Sequence, residues 1–376
     1  MQSRKHGRKD LVQFNMKKLV IFIACLFITG LGISFLGKRN EKAPTTKKIQ
    51  SLRISPTDIP SKPSKSIFIP YWSLKDNESI DRMYDRYIYF GVTGGEMGID
   101  RSETGYKGIG NFLSSIPNES VKLLTLRLLD EDDIISILQK PQMRDLLISE
   151  TTDIARENGF SGVLLDLELS SSTNDTTVLQ ISDFVQEFYT HLKKYYMTFS
   201  VALYGDTFYR KRPYDVDFIS KNSDGIFIMA YDFHKAGGEP GPNFSLKGDV
   251  YSFEKMTADF TAFVPKEKIT VVFGMFGYDW AVDEQKRPLK PAKSLSVNEI
   301  REQFLNKCEW ENCLVTRDPD TRETEVNYVE SEVKDNFGYI YPHIVWFEDE
   351  ESAKVKEDYL KSLGIGSIAF WAYGYF

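Results

Sequence analysis

This chain has few of the side chains that metal and redox chemistry require. Its 376 residues include four histidines and three cysteines, and no histidines recur at metal-ligand spacing. Cys308 and Cys313 are separated by four residues with no histidine nearby, too few ligands for zinc. They form either a disulfide, if the domain lies outside the cytoplasm, or two free thiols. No phosphate-cradling glycine loop and no Ser-His-Asp arrangement is present, so no metal and no cofactor is implied. Positive charge is not in excess either: the formal net charge is -7, which argues against nucleic acid as a partner. Aromatic residues, by contrast, make up 14% of the chain. Their rings stack on sugar faces, so an aromatic-rich acidic protein suits a carbohydrate ligand.

The amino-terminal region reads as a membrane tether. Residues 19–37 form an apolar run without a charge, long enough to span a bilayer. Arg4, Lys5, Arg8, Lys9, Lys17 and Lys18 precede it, which assigns 1–18 to the cytoplasm. No small-residue cleavage site closes the run, so an uncleaved single-pass anchor is expected. Cys25 has too few apolar residues before it for a lipoprotein acylation site. Residues 38–65, with Pro44, Pro56, Pro60 and Pro63, form a linker. A soluble domain, 66–376, then begins at Ser66-Ile-Phe-Ile-Pro-Tyr-Trp72 and is expected to be periplasmic or extracellular, and monomeric.

Within that domain short apolar strands alternate with amphipathic helical stretches. Strands are expected at Ile67–Trp72, Tyr87–Thr93, Val121–Leu128, Gly162–Glu168, Thr198–Leu203, Gly225–Tyr231, Ile269–Phe276 and Ser367–Trp371. Helices are expected at Met143–Asn158, Val178–Tyr195, Ser252–Phe263 and Glu350–Leu363. Eight strands in about 310 residues suit an α/β fold of the (β/α)8, or TIM, barrel type. A doubly wound sheet is the alternative. The stretch 281–345 is too long for a connection and contains a helical pattern at Val297–Asn306. It reads as an inserted α+β subdomain between the seventh and eighth strands.

Chemistry concentrates at the strand Gly162-Val-Leu-Leu-Asp-Leu-Glu168. Side chains two apart on a strand share a face, so Leu164, Asp166 and Glu168 point one way. A buried carboxylate is costly unless paired or used. Two near the carboxyl end of a barrel strand mark an active-site rim. Other strand ends bring aromatics and acids to the same rim: Tyr71 and Trp72; Met229, Tyr231, Asp232 and His234; Tyr278; and Trp371.

These segments resemble glycoside hydrolase family 18, the chitinase-like barrels. The family's Asp-x-x-Asp-x-Asp-x-Glu corresponds to Ser161 through Glu168, and its Met-x-Tyr-Asp to Met229-Ala-Tyr231-Asp232. Gly277-Tyr278-Asp279-Trp280 and Trp371 match as well. Tyr231 through Pro242 and Val345 through Ser352 are similar to the bacterial spore-cortex-lytic, peptidoglycan-hydrolysing N-acetylglucosaminidases. The resemblance implies cleavage of β-1,4-linked N-acetylglucosamine glycans, peptidoglycan or chitin-like, in which the substrate's own acetamido oxygen attacks the anomeric carbon. Two acids on one strand face lie about 6.5–7 Å apart at Cα and share one side of the bond, which agrees. Glu168 would be the general acid. Asp166 would orient the acetamido N–H and Tyr231 its carbonyl. Trp371 would floor the sugar site, Asp232 would bind a hydroxyl or assist positioning, and Met229 would pack beneath. Tyr71 and Tyr278 complete the expected binding residues.

Two departures stand out. Ser161 and Leu164 replace the first two family acids, and the second of these normally shares a proton with the third. Without it Asp166 is more desolvated, which raises its pKa. The chain also lacks a helix after the eighth strand, so part of 39–65, or a partner, should shield Ile368 and Phe370. A non-hydrolytic, lectin-like relative is the competing reading, weakened by the retention of Glu168, and a wall-associated scaffold is a third. His234 reads as a loop-positioning residue. Glu348–Glu351 reads as a helix amino-terminal turn favoured by the dipole.

Overall fold

Eight largely buried strands close into a parallel ring. The computed structural model describes residues 63–376, apart from 76–77, 81, 170–173, 249 and 335–336. In chain order the first strands are β1 (Lys65–Pro70), β2 (Arg86–Gly95), the two-residue β3 (Gly98–Ile99), β4 (Val121–Leu128) and β5 (Gly162–Leu167). There follow β6 (Thr198–Tyr204), β7 (Gly225–Ala230) and β8 (Ile269–Gly274). After an excursion through β9 (Phe276–Ala281), β10 (Lys293–Ser296), β11 (Glu311–Arg317), β12 (Thr324–Lys334) and β13 (Phe337–Phe347), the chain returns as β14 (Ser367–Trp371). The pairing order β1-β14-β8-β7-β6-β5-β4-β2, closed by β1 against β2, is a TIM barrel.

Inward residues such as Phe68, Ile88, Leu123, Leu164, Phe227 and Val272 fill the ring. The outward ones pack beneath helices, so both strand faces are buried. The helices are α1 (Thr104–Lys107), α2 (Ile109–Ser115), α3 (Glu131–Gln139), α4 (Pro141–Glu157), α5 (Asp175–Lys193), α6 (Val216–Lys221), α7 (Phe253–Thr261), α8 (Val297–Ile300) and α9 (Glu350–Ser362). Their starts are chemically marked. Asp130, Asn174, Asp215 and Ser252 cap α3, α5, α6 and α7 by accepting backbone N–H groups, and Pro141 opens α4.

The stretch read as an insertion carries most of an antiparallel sheet of order β10-β9-β13-β12-β11. It begins earlier than its expected start. The seventh barrel strand ends at Gly274, and Phe276 already belongs to β9. The helical pattern at 297–306 resolves into α8 and a π turn, Arg301–Leu305. Cys308 and Cys313 are disulfide-bonded, with Cα atoms 6.2 Å apart.

Ile368 and Phe370, the outer residues of the last strand, are buried. Pro63 lies against Gly366, the Ser64 hydroxyl donates to that of Ser367 at 3.1 Å, and the Phe376 ring lies 5.4 Å from Phe370. The end of the 39–65 segment and the chain's last residue thus cover this strand. The basic segment 1–18, the apolar run 19–37 and residues 38–62 lie outside the described residues. Among the described ones, no helix is long and apolar enough to cross a membrane.

Candidate active site

A cavity of about 480 Å³ opens at the carboxyl ends of the barrel strands. Asp166, Glu168, Met229, Tyr231, Asp232, Tyr278 and Trp371 all line it. Strand alternation does the placing: Leu164 is sealed in the ring interior, Asp166 is 4% exposed one layer higher, and Glu168 stands just beyond the end of β5. Ser161, the other departure from the family pattern, lies at the opposite end of the strand. It bonds through its backbone to Lys122 and Thr198 and takes no part in the rim.

Burial, then the neighbouring Glu168 charge, pushes Asp166 well above the ordinary carboxylate range, while Arg127 pulls it back. Asp166 is therefore held toward its protonated form. Glu168 accepts a hydrogen bond from the Tyr204 hydroxyl at 2.9 Å. Tyr204, at the end of β6, carries the Arg212 guanidinium 4.2 Å over its ring, and Arg212 is in turn held by Asp206. Burial and the surrounding acids push the Tyr231 hydroxyl far up, so it stays protonated and can donate. Its ring passes over Gly274, where a Cβ would lie 2.6 Å from Tyr231 atoms; glycine is needed there for this close approach.

Asp232 has a φ of 59°, a left-handed conformation that aspartate tolerates better than most residues. It is fixed from two sides: its N–H donates to Asn243 Oδ1 at 2.7 Å, and Tyr278 donates to its carboxylate at 2.7 Å. Burial raises its pKa to about 6, against the pull of the Tyr278 hydrogen bond. Trp371 meets Phe90 edge-on, with centroids 4.5 Å apart, and makes an apolar wall.

Tyr71 does not line the cavity. Pro70 lacks a donor and closes β1, so Tyr71–Ser73 form a 3-10 turn instead of continuing the strand. Tyr71 packs on the outer core beside Trp72, which is 49% exposed at the rim. His234 is also outside the lining and bonds the Pro242 carbonyl through Nδ1 at 2.8 Å, holding its loop. Glu350 and Glu351 occupy the first turn of α9, as the acidic run predicts, and Glu348 stands just before it. Glu348 is buried against Lys356, and the capping of α9 falls to Asp349.

Several lining residues escaped the sequence reading: Phe90, Ser294, Ser296, Glu299 and Tyr375. Ser296 and Glu299 form the capping box of α8, a legible Ser-x-x-Glu signature, but that signals a helix start and not a cavity wall. Tyr204 lies one residue beyond the expected strand end, at a position where barrel function concentrates.

The sequence profile of glycosyl hydrolases family 18 matches residues 129–375. The chain belongs to this family. It is 28% identical over 239 residues to YdhD of Bacillus subtilis (strain 168), a protein provisionally named as a sporulation-specific glycosylase, covering 62% of this chain and 52% of YdhD. A cortical fragment-lytic enzyme of Bacillus anthracis is 28% identical over 156 residues, 40% of this chain and 31% of that one. The chain spans about half to two-thirds of the length of the first curated relatives it matches. The fold recurs in the class V chitinase of Nicotiana tobaccum, at a TM-score of 0.71 with 16% identity, covering 83% of this chain and 94% of that one. It recurs again in the Bacillus cereus spore cortex-lytic enzyme SleL, at 0.62 with 19% identity over 83% and 71%.

Proposed function

We propose that the protein is a glycosidase cleaving β-1,4-linked N-acetylglucosamine glycans, peptidoglycan or chitin-like, by substrate-assisted retaining catalysis. The observation that carries this reading is the side-by-side placement of Asp166 and Glu168 in one cavity with Tyr231 and Trp371. Both acids approach from one strand, so neither is set across the bond as a nucleophile, and the substrate's acetamido oxygen takes that part. Asp166 receives the acetamido N–H. Glu168 protonates the departing oxygen as general acid and afterwards activates water. Tyr231 donates to the acetamido carbonyl, limiting it to the attacking orientation. Asp232 anchors a hydroxyl.

Glu168→Gln should lower turnover of a chromogenic N-acetylglucosaminide by about 10³-fold, in keeping with loss of a general acid. Calorimetry should still register oligosaccharide binding. Sugar binding in the parent protein with no Glu168-dependent turnover would replace this reading by the lectin-like one. Mass spectrometry of products from purified peptidoglycan and from chitin oligomers separates the two substrates.

We infer also that residues 19–37 anchor the chain, with 1–18 cytoplasmic and the barrel outside, supported by the uncharged run and its basic flank. The full chain should remain in membranes through an alkaline wash, and a chain starting at residue 39 should not. Release of both alike would sink the anchor.

A further inference from the structure

The family acid absent at Leu164 would have lain beneath Asp166 and shared its proton. Leu164 is wholly buried between Thr125 and Ser200 and offers nothing polar. A different group stands beside the carboxyl. Arg127 on β4 is the register partner of Asp166 and is only 8% exposed. Its guanidinium lies over the Phe90 ring at 4.8 Å, and Nη2 is 4.0 Å from Glu103. Nε and Nη1 of Arg127 are buried without a hydrogen-bond partner among the described residues, and so is Oδ1 of Asp166. Buried polar groups left unpaired are rare and costly. Here a guanidinium and a carboxyl on adjacent strands both carry such atoms.

We propose that Arg127 takes over the task of the missing acid, its positive charge favouring the ionised form of Asp166 as it meets the acetamido group of the bound sugar. The inference rests on the N-acetylglucosaminidase reading above. It makes Arg127 a positioning residue, since it does not line the cavity. An acid at position 164 would hold one negative charge across two carboxyls by sharing a proton. A guanidinium lets Asp166 oppose the positive charge of the cyclised intermediate with its full charge. The groups facing Asp166 are Glu168 from its own strand, Arg127 from β4, Tyr231 beyond β7 and Tyr214 beyond β6, and Glu103 faces Arg127 in turn. Of these, Arg127 alone bears positive charge. Removing it makes the proton on Asp166 harder to lose.

Arg127→Met keeps side-chain length over Phe90 and removes the charge, whereas Arg127→Lys keeps the charge. Carbon-13 NMR of aspartate-labelled protein, with Asp166→Asn assigning the signal, follows Asp166 without any substrate. Its midpoint should rise by about one pH unit or more in Arg127→Met, and by less than half of that in Arg127→Lys. With substrate, kcat of Arg127→Met should fall about 10- to 100-fold with KM within about threefold, and Arg127→Lys should recover most of the loss. An unchanged Asp166 midpoint in Arg127→Met, or equal damage in both variants, overturns the proposal. If Arg127→Met fails to fold, Arg127→Gln replaces it with the same expectations. Absence of turnover in the parent protein would defeat the glycosidase reading, while the NMR midpoint would still decide the role of Arg127.

Discussion

The barrel's strand ends and the antiparallel sheet both contribute walls to the cavity, yet they hold their polar groups in opposite ways. At the strand ends, Asp166 is buried with an unpaired oxygen, Glu168 has the Tyr204 hydroxyl, and Asp232 sits in a left-handed conformation at about pKa 6. In the sheet, several ionisable side chains are partnered. His343 lies between Asp279 at 2.8 Å and Glu330 at 3.2 Å, and Tyr328 donates to Asp279 at 2.8 Å. Glu299, which reaches the cavity, has its carboxylate engaged by the Ser296 N–H and hydroxyl. Where the sheet meets the barrel, fully buried Lys356 bonds both Glu323 and Glu348, and Glu323 accepts the N–H groups of Asn243 and Phe244. The unpaired Asp166 oxygen and the left-handed Asp232 both stand at the cavity, where a substrate can supply a partner. The satisfied groups give shape. The comparison therefore assigns chemistry to the strand ends and wall-building to the sheet.

After Glu168→Gln, the sharpest test of that division is a matched pair of tyrosines. Tyr204→Phe removes the hydroxyl donating to Glu168 and should lower kcat about 10- to 50-fold with KM little changed. Tyr278→Phe acts from the sheet and removes the hydroxyl donating to Asp232. That bond holds the Asp232 pKa down, so its loss moves the midpoint above about 6. Asp232 is then protonated over a wider range. KM should rise about three- to tenfold near pH 6 and recover toward the parent value above pH 8, where the carboxyl is ionised in both proteins. Steady-state kinetics of the two variants across pH 5–9 check both. If Tyr278→Phe cut kcat as deeply as Tyr204→Phe, the sheet would share in the chemistry and the division would fail.

The same contrast explains what could be read from the chain. The acid pair was legible because a period of two is local: Leu164, Asp166 and Glu168 share a face whatever lies around them. Trp371 and Tyr231 followed from being at strand ends. Tyr71 was misplaced because Pro70 turns the chain at the very residue where an apolar run suggests continuation. Ser294 and Glu299 were beyond reach for a different reason. Their approach to the cavity depends on β10 pairing with β9 and on β9 pairing with β13, some sixty residues later in the chain. The burial of Glu348 is non-local likewise, since it requires Lys356 and Glu323 to converge from separate elements. Local periodicity reveals the strand-end chemistry; the wall is written in non-local register.

The disulfide sets the lower bound of the comparison. Cys308 and Cys313 close a short loop leading into β11, pack on the sheet's own apolar cluster, and do not line the cavity. Loop-closure entropy for so short a crosslink is about 2 kcal/mol. Cys308→Ser with Cys313→Ser should therefore lower stability by about that amount, read as a reduced midpoint in chemical denaturation. Turnover below the transition should stay within about twofold of the parent. The reason lies in how the neighbouring wall is held. Tyr278 is on β9, whose partners β10 and β13 remain paired, and Asp232 keeps its contact with Asn243, which Glu323 braces from the buried side. A tenfold loss of activity at unchanged stability would mean that the crosslinked end of the sheet reports to the acids after all.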